Sequence, residues 1–203
     1  MVKFIFIRHG YSIYNKEKRF TGQKDIPLDE IGFIQAERAG KYITDNYKVD
    51  AVYSSDLIRA CDTAKPIADK LKLPIFKTEA FREINVGVWQ GVKIEDVRKN
   101  DSEAYEKYTI TPGVYRFEGG ESFYDVIKRA SDAICRIAKE NGGKTVVVAT
   151  HGGVIRALRT FWSNIPLERM NEVSHVSNAS ITVISYDEGK VEYLLEDYTG
   201  HLE

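Results

Sequence analysis

Short apolar runs alternate along this chain with longer stretches in which apolar residues recur every three or four positions. Residues 4–7 and 145–149 are the strongest strand candidates, because continuous bulky runs are typical of strands buried on both faces. Weaker strand candidates lie at 51–53, 74–76, 181–184 and 191–194. The last two flank Asp187-Glu188-Gly189, which indicates a hairpin. This alternation predicts an α/β domain.

Helical periodicity marks four further segments. They are 29–47, 57–71, 123–137 and a stretch that begins at Val154 and stops before Pro166. The second segment contains Pro66, which is expected to kink or break the helix. The third is preceded by Ser122 and includes Asp125, a spacing that predicts a capping box at the start of the helix.

Residues 85–125 depart from this regular pattern. They are rich in glycine and in aromatic residues such as Trp89 and Tyr108, and their periodicity is weak. We interpret them as a small cap region with short helices, inside a single domain that spans residues 1–203. The alternative interpretation is a loosely helical excursion on the surface.

The composition limits the expected partners and location. Among 203 residues, 29 Lys and Arg face 30 Asp and Glu, for a net charge of -1, so no global basic field for nucleic acid exists and any anion site must be local. The two cysteines, Cys61 and Cys135, lie outside any Cys-x-x-Cys pair, which argues against a structural zinc site or a disulfide framework. The apolar run at 4–7 is too short for a signal peptide or a membrane span. We therefore expect a cytoplasmic protein without membrane contact.

Three of the predicted strands end in residues that bind anions well. The first runs into Arg8-His9, the second is followed by a helix that carries Arg59, and the strand at 145–149 runs into His151. Ligands in open α/β sheets bind beyond the carboxyl ends of the strands. Arginine donates to phosphate oxygens in a plane, and a neutral imidazole can attack phosphorus. The pattern thus fits a phosphate monoester pocket, although structural histidines and surface arginines explain the same residues.

Several sequence blocks follow one another in a characteristic order. They are Arg8-His9-Gly10-Tyr11-Ser12 with Asn15, Phe20-Thr21-Gly22-Gln23, Ser54-Ser55-Asp56-Leu57 with Arg59, Phe81-Arg82-Glu83, Gly119-Gly120-Glu121-Ser122 and Thr150-His151-Gly152-Gly153. In this order they resemble the histidine phosphatase superfamily, which includes the cofactor-dependent phosphoglycerate mutases. The resemblance covers nearly the whole chain. It implies a phosphoglycerate mutase-like fold, a three-layer α/β/α sandwich around a mixed six-stranded sheet.

The resemblance also implies a role for each motif residue. His9 would be the nucleophile that takes the phosphoryl group, and Glu83 would be the general acid for the leaving alcohol and then the base for water. Arg8, Arg59 and His151 would bind the phosphate oxygens and stabilise the transition state. Further donors to the same group would be Asn15 and the backbone amide of Gly152. Contacts to the rest of the substrate, at the entrance, would come from Thr21, Gly22 and Gln23.

Two departures from the mutase pattern favour a small phosphatase. Only 67 residues separate Glu83 from His151, and Gly153 stands where mutases of this family usually have Asn. We expect hydrolysis of a small phosphorylated metabolite through a phosphohistidine, without a metal or a cofactor. The alternatives are a 2,3-bisphosphoglycerate-dependent phosphoglycerate mutase and a non-catalytic protein that binds phosphorylated ligands. Outside the motifs, His175 is interpreted as structural and His201 as solvent-exposed.

Overall fold

The computed structural model describes residues 1–203 and contains one mixed sheet of six strands. The strands are β1 (Val2–Arg8), β2 (Ala51–Ser55), β3 (Ile75–Thr78), β4 (Thr145–Thr150), β5 (Ile181–Asp187) and β6 (Lys190–Tyr198). Their order across the sheet is β3-β2-β4-β1-β5-β6. The first four in that order run parallel, whereas β5 is antiparallel to both β1 and β6. The prediction of a mixed six-stranded sheet is confirmed.

Seven α-helices join these strands. They are α1 (Ile13–Lys16), α2 (Glu30–Asn46), α3 (Ile58–Leu71), α4 (Ile94–Asn100), α5 (Ser102–Ile110), α6 (Phe123–Glu140) and α7 (Gly152–Trp162). Helices α2, α3, α6 and α7 occupy the four segments predicted from periodicity. No helix combines the length with the apolar composition that spanning a bilayer requires.

Packing keeps α3 continuous through Pro66, so the break considered at this position is absent. A Cβ built on Gly40 of α2 would lie only 2.8 Å from the Cβ of Pro66. The proline ring therefore packs directly against the backbone of α2, and this contact offsets the helical hydrogen bond that proline cannot donate. At the start of α6 the predicted capping box is present, with the Ser122 N–H donating to Asp125 Oδ2 at 2.9 Å.

The two faces of the sheet are covered by different pairs of helices. In β1, Phe4 and Phe6 belong to a core shared with α6 and α7, whereas Ile5 and Ile7 belong to a core shared with α2 and α3. This division follows from the alternation of side chains along a strand. All four side chains are buried, and each contributes about 1.5–3 kcal/mol by leaving water. The expected three-layer α/β/α sandwich is confirmed.

The predicted hairpin supplies an antiparallel edge of the sheet. Strands β5 and β6 are joined at Glu188 and Gly189, which adopt φ angles of 47° and 90°. Positive φ at both central residues is the property of the tight turns that match the twist of paired strands, and glycine adopts it without strain.

Residues 85–125 are ordered by an aromatic cluster more than by regular helices. Trp89 packs against Phe20 at 5.1 Å and Phe117 at 5.4 Å between ring centroids, and Tyr108 lies 5.2 Å from Phe117. The indole Nε1–H of Trp89 donates to Asp101 at 2.9 Å. One ring of the cluster belongs to Phe20, which is far from residues 85–125 in the sequence. The cluster therefore cannot be recognised from local periodicity.

Candidate active site

The two central strands bring two histidines together. In the parallel pair β1 and β4, Arg8 lies opposite Thr150, so the residues that follow, His9 and His151, leave the sheet side by side. Their ring centroids are 5.2 Å apart with an interplanar angle of 61°. The His9 N–H donates to the Thr150 carbonyl at 2.9 Å and fixes this arrangement.

Hydrogen bonding and charge prepare His9 as a neutral base. Its Nδ1 lies 2.8 Å from the Gly10 carbonyl oxygen, and because a carbonyl only accepts, the proton resides on Nδ1 and Nε2 keeps its lone pair. Burial, followed by the positive charges of Arg59 and Arg8, lowers the pKa of His9 well below its ordinary value. The ring is 4% exposed. A neutral imidazole with a free Nε2 is the form that can attack phosphorus.

A close backbone contact holds the turn that carries His9. A Cβ on Gly10 would lie 2.4 Å from the Gly32 carbonyl oxygen, so only glycine lets this turn approach the start of α2. The Gly10 N–H donates to Thr63 Oγ1 of α3 at 3.0 Å. The turn is therefore anchored to both helices of one face.

His151 is fully buried and retains one unsatisfied nitrogen. Its Nε2 lies 2.9 Å from Ser55 Oγ at the end of β2, whereas its Nδ1 has no hydrogen-bond partner within the protein. Burial and then the charge of Arg59 lower the pKa of His151 well below its ordinary value. Buried polar atoms are normally paired, so Nδ1 is free to meet a ligand, although His151 is not among the residues that line the neighbouring cavity.

Two arginines present further unsatisfied donors. Arg59 is fully buried and donates from Nη1 to the Lys24 carbonyl and from Nη2 to the Gly22 carbonyl, both at 2.8 Å, while its Nε has no partner. Arg8 donates from Nη1 to the Val176 carbonyl, and its buried Nε also lacks a partner. Burial lowers the pKa of Arg59 to about 10, so it stays charged at neutral pH. An oxyanion would satisfy these donors.

Asn15 and Gly152 add donors to the same cavity. Asn15 Oδ1 accepts from the Ser12 N–H at 3.0 Å and from Asn178 Nδ2 at 3.2 Å, which leaves the amide Nδ2 of Asn15 to donate. Gly152 is the first residue of α7, and N–H groups at a helix start have no partner inside the helix and attract anions. Both residues line the cavity.

The carboxylate of Glu83 faces the start of α7. Its Oε1 accepts from the Ile84 N–H at 2.9 Å and its Oε2 accepts from the Gly153 N–H at 3.2 Å. A Cβ at position 153 would lie 2.3 Å from Glu83 Oε1. A glycine at this position therefore leaves the room that the carboxylate occupies, which gives a physical reason for the Gly153 noted in the sequence.

The predicted entrance residues divide into two groups. Thr21 and Gly22 line the cavity, but Gln23 does not. The Gln23 side chain instead donates to the Glu83 carbonyl at 3.1 Å and to Glu121 at 3.3 Å. The carbonyls of Gly22 and Lys24, on either side of Gln23, accept hydrogen bonds from Arg59. Gln23 therefore stabilises the cavity wall without lining the cavity.

The cavity has a volume of about 200 Å³, and its lining includes residues to which the sequence analysis gave no role in the site. These are Phe20, which belongs to a motif block, and Arg19, Ile84, Val86, Tyr108, Phe123, Arg156, His175 and Val176. Helical periodicity could have revealed Arg156, which lies four residues after Gly152 in α7. No local sequence pattern predicts that Tyr108 or His175 lines the cavity, because long-range packing places both residues there.

The two remaining histidines differ from their sequence interpretations. His175, interpreted as structural, is exposed at the cavity. His201, expected to be solvent-exposed, is half-buried: its Nε2 lies 3.0 Å from the Ala179 carbonyl, and its ring packs against Tyr42 and Tyr198. The reason is that the chain end folds back as a short helical turn against α2.

This sheet order, with an imidazole at the end of each central strand, defines a phosphoglycerate mutase-like protein. A comparison with protein families supports this class, because residues 4–197 match the model of the histidine phosphatase superfamily (branch 1). The chain belongs to that superfamily, and the resemblance carried by its motifs is confirmed.

Named relatives and solved structures agree with this membership. Phosphoserine phosphatase 1 of Hydrogenobacter thermophilus is 31% identical over 202 residues, which cover 100% of this chain and 95% of that protein. A metal-independent phosphoserine phosphatase of Arabidopsis thaliana is 32% identical over 186 residues, or 91% of this chain and 76% of that protein. The structure of Bacillus stearothermophilus YhfR superposes with a TM-score of 0.94 at 32% identity and covers 100% of both chains.

Proposed function

We propose that this protein hydrolyses the phosphomonoester of a small phosphorylated metabolite through a phosphohistidine at His9. One observation carries the proposal: the free Nε2 of a neutral His9 shares a cavity with two buried, unpaired guanidinium nitrogens, the Nε atoms of Arg8 and Arg59. The buried ring of His151, whose Nδ1 is also unpaired, lies 5.2 Å from the ring of His9 between centroids. Donors fixed in place before the reaction stabilise the charge of a phosphoryl group in transfer without reorganisation.

In the first step, Nε2 of His9 attacks phosphorus and the bond from phosphorus to the ester oxygen breaks. Glu83 supplies a proton to the departing oxygen, so the alcohol leaves neutral. The ring of His9 keeps its Nδ1 proton, and the Gly10 carbonyl stabilises the positive charge that the phosphorylated ring acquires. Arg8 and Arg59 hold the phosphoryl oxygens.

In the second step, water attacks the phosphohistidine. Glu83, now a carboxylate, accepts a proton from the water while the bond from phosphorus to Nε2 breaks. Inorganic phosphate leaves, His9 returns to its neutral form, and Glu83 again carries a proton. The cycle needs no redox partner and leaves each residue as it began.

The size of the cavity supports a small substrate. About 200 Å³ lies below the usual range for drug-sized ligands, and two relatives are named as phosphoserine phosphatases. We propose that residues 85–125 form the cap, with Tyr108 as its contact to the substrate, within a single domain. The unpaired thiols of Cys61 and Cys135 support a cytoplasmic location.

The proposal is tested by replacing the nucleophile. His9→Ala is expected to abolish phosphate release from 4-nitrophenyl phosphate while thermal unfolding stays cooperative, and the wild-type protein is expected to trap an acid-labile phosphoryl group that the variant lacks. His201→Gln, a histidine outside the cavity, is the matched control and is expected to keep the wild-type rate. Full turnover by folded His9→Ala would refute the assignment.

A second assay separates hydrolysis from phosphoryl return to a second metabolite. With 3-phosphoglycerate and catalytic 2,3-bisphosphoglycerate, we expect inorganic phosphate to appear faster than 2-phosphoglycerate. The opposite ratio would identify a mutase. Binding of phosphate without turnover on any monoester would identify a non-catalytic phospholigand-binding protein.

A further inference from the structure

The segment that carries Glu83 has no regular secondary structure of its own. Residues 82–86 lie between two short helical turns, Glu79–Phe81 and Gly87–Trp89, and belong to no helix or strand. Backbone N–H and C=O groups that are shielded from water need partners, and here these partners must come from other parts of the chain. The position of the Glu83 carboxylate therefore depends on the side chains that bind this backbone.

Arg129 of α6 binds two carbonyls of this segment. Its Nη1 donates to the Ala80 carbonyl at 2.8 Å, and its Nη2 donates to the Glu83 carbonyl at 3.1 Å. The two carbonyls are three residues apart in the chain, so one planar guanidinium fixes both ends of the stretch that leads to the carboxylate. Arg129 does not line the cavity. It therefore acts on the site through this backbone.

Glu121 fixes the guanidinium and binds the same segment at its other end. Its Oε1 accepts from Arg129 Nε at 2.9 Å, and its Oε2 accepts from Arg129 Nη2 at 3.1 Å. The Oε2 atom also accepts from the Asn85 N–H at 2.9 Å, and the Glu121 N–H donates to the Asn85 carbonyl at 2.8 Å. The two side chains of the pair are only 20% and 22% exposed. A bidentate pair of this kind fixes direction as well as distance.

We propose that Arg129 and Glu121 are positioning residues for Glu83, which together set where its carboxylate stands beside the leaving oxygen of the substrate. The inference rests on the proposed function, in which Glu83 supplies a proton to that oxygen. A proton donor must lie within hydrogen-bond reach of the atom that it protonates. The rate of this step is therefore sensitive to the backbone of residues 80–85, which the pair holds.

Two aryl phosphates separate the proton transfer from the rest of the chemistry. Phenyl phosphate and 4-nitrophenyl phosphate differ by one nitro group, but only phenolate, whose conjugate acid has a pKa of about 10 like that of tyrosine, needs a proton to leave readily. The measured quantity is the ratio of kcat/KM for phenyl phosphate to kcat/KM for 4-nitrophenyl phosphate. Glu83→Gln is expected to lower this ratio about 100-fold.

This first variant distinguishes the inference from the function on which it rests. An unchanged ratio in folded Glu83→Gln would overturn the role of the acid, and the inference with it. Wild-type protein that releases no phosphate from either ester would overturn the proposed function itself. A lowered ratio in Glu83→Gln makes the ratio a report on the acid, against which Arg129 and Glu121 are then measured.

Two further variants test the pair. Arg129→Gln is expected to lower the ratio about tenfold to 100-fold, because a displacement of about 1 Å costs about 100-fold in rate, while kcat/KM for 4-nitrophenyl phosphate changes less than about threefold. The Glu83 carbonyl keeps the hydrogen bond from Gln23 at 3.1 Å, so the segment shifts without unfolding. Glu121→Gln keeps an acceptor oxygen but removes the charge that holds the guanidinium, and it is expected to lower the ratio about threefold to tenfold.

A double variant separates positioning from a general structural loss. When Glu83→Gln and Arg129→Gln are combined, the ratio is expected to stay within about threefold of that of Glu83→Gln alone, because residues that act through one another are not additive. Arg116→Gln removes an exposed guanidinium that pairs at 2.7 Å with Asp125 of the same helix. This variant is the control and is expected to keep the wild-type ratio.

Two results would overturn the inference. One is an unchanged ratio in both folded Arg129→Gln and Glu121→Gln, and if Arg129→Gln does not fold, Glu121→Gln decides alone. The other is a double variant in which the two losses multiply, since Arg129 would then act on turnover without acting through Glu83.

Discussion

The neutral state of His9 arises from its surroundings and not from the imidazole itself. Desolvation and two nearby guanidiniums disfavour a positive ring, while the Gly10 carbonyl selects which nitrogen is free. The same guanidiniums that we propose to hold the phosphate therefore keep the proposed nucleophile unprotonated. One arrangement of positive charge thus serves both phosphate binding and the neutral state of His9.

Gly153 offers a test of the general acid. In Gly153→Ala the new methyl would lie 2.3 Å from Glu83 Oε1, so the flexible carboxylate moves while the backbone stays. A displacement of about 1 Å costs about 100-fold in rate, and we expect this loss in kcat/KM for alkyl phosphates, which reports phosphoryl transfer to His9 and not the later attack of water. For 4-nitrophenyl phosphate, whose leaving group needs no proton, we expect less than about a tenfold loss.

Gly142→Ala is the matched control, because a Cβ there would meet no atom within 4 Å. Its rates on both substrates are expected to equal those of the wild type. Equal losses of kcat/KM on both substrates in Gly153→Ala would contradict the role of general acid proposed for Glu83.

Among the elements, strand ends were easier to predict than helix contacts. Parallel strands share one carboxyl edge, so Arg8, His9 and His151 could be placed together from the sequence alone. Tyr108, on α5, could not, because its position depends on ring packing with Phe20 and Phe117. Pro66 was misleading for a related reason, since packing against Gly40 outweighs its local preference.

The aromatic cluster of residues 85–125 predicts the stability of that region. Trp89 is 4% exposed and packs against Phe20, Tyr105, Tyr108, Tyr115 and Phe117. Trp89→Ala is therefore expected to lower the free energy of unfolding by about 3–5 kcal/mol, measured by urea denaturation. Val88→Ala, at a neighbouring side chain that is 59% exposed, is expected to stay within about 0.5 kcal/mol. If Trp89→Ala lowered the free energy of unfolding as little as Val88→Ala, the aromatic cluster would add no stability.

At the scale of the whole molecule, the near-neutral net charge conceals a strongly cationic interior. The composition excluded a global basic field around the protein. The position of the anion site could still be predicted, because His9 and His151 both follow strands. The charge balance inside the cavity could not be predicted, because it depends on Glu17 pairing with Arg19 and on Arg156 lacking such a partner. Sequence spacing does not report which charges are paired.

Two buried neutral histidines make the stability depend on pH. In the unfolded chain both titrate near 6.5, whereas in the folded protein the pKa values of His9 and His151 lie well below that. The unfolded chain therefore binds more protons below pH 6.5. The stabilising contribution of the neutral rings is complete above pH 6.5 and falls at lower pH, with a limiting slope of about 1.4 kcal/mol per pH unit for each ring.

Urea unfolding between pH 7.5 and 5.5, in a phosphate-free buffer, measures this slope. His9→Gln is expected to show a shallower decrease, because one of the two rings is gone. A slope identical to that of the wild type would mean that folding leaves the pKa of His9 unchanged, which would contradict a buried neutral ring.

His9, the proposed nucleophile, directly follows β1, an interior strand bordered by β4 and β5. Local fraying at either margin of the molecule leaves such a residue untouched. We therefore expect the amide hydrogens of this strand to exchange only when the entire domain opens. Loss of activity on heating is then expected to coincide with global unfolding.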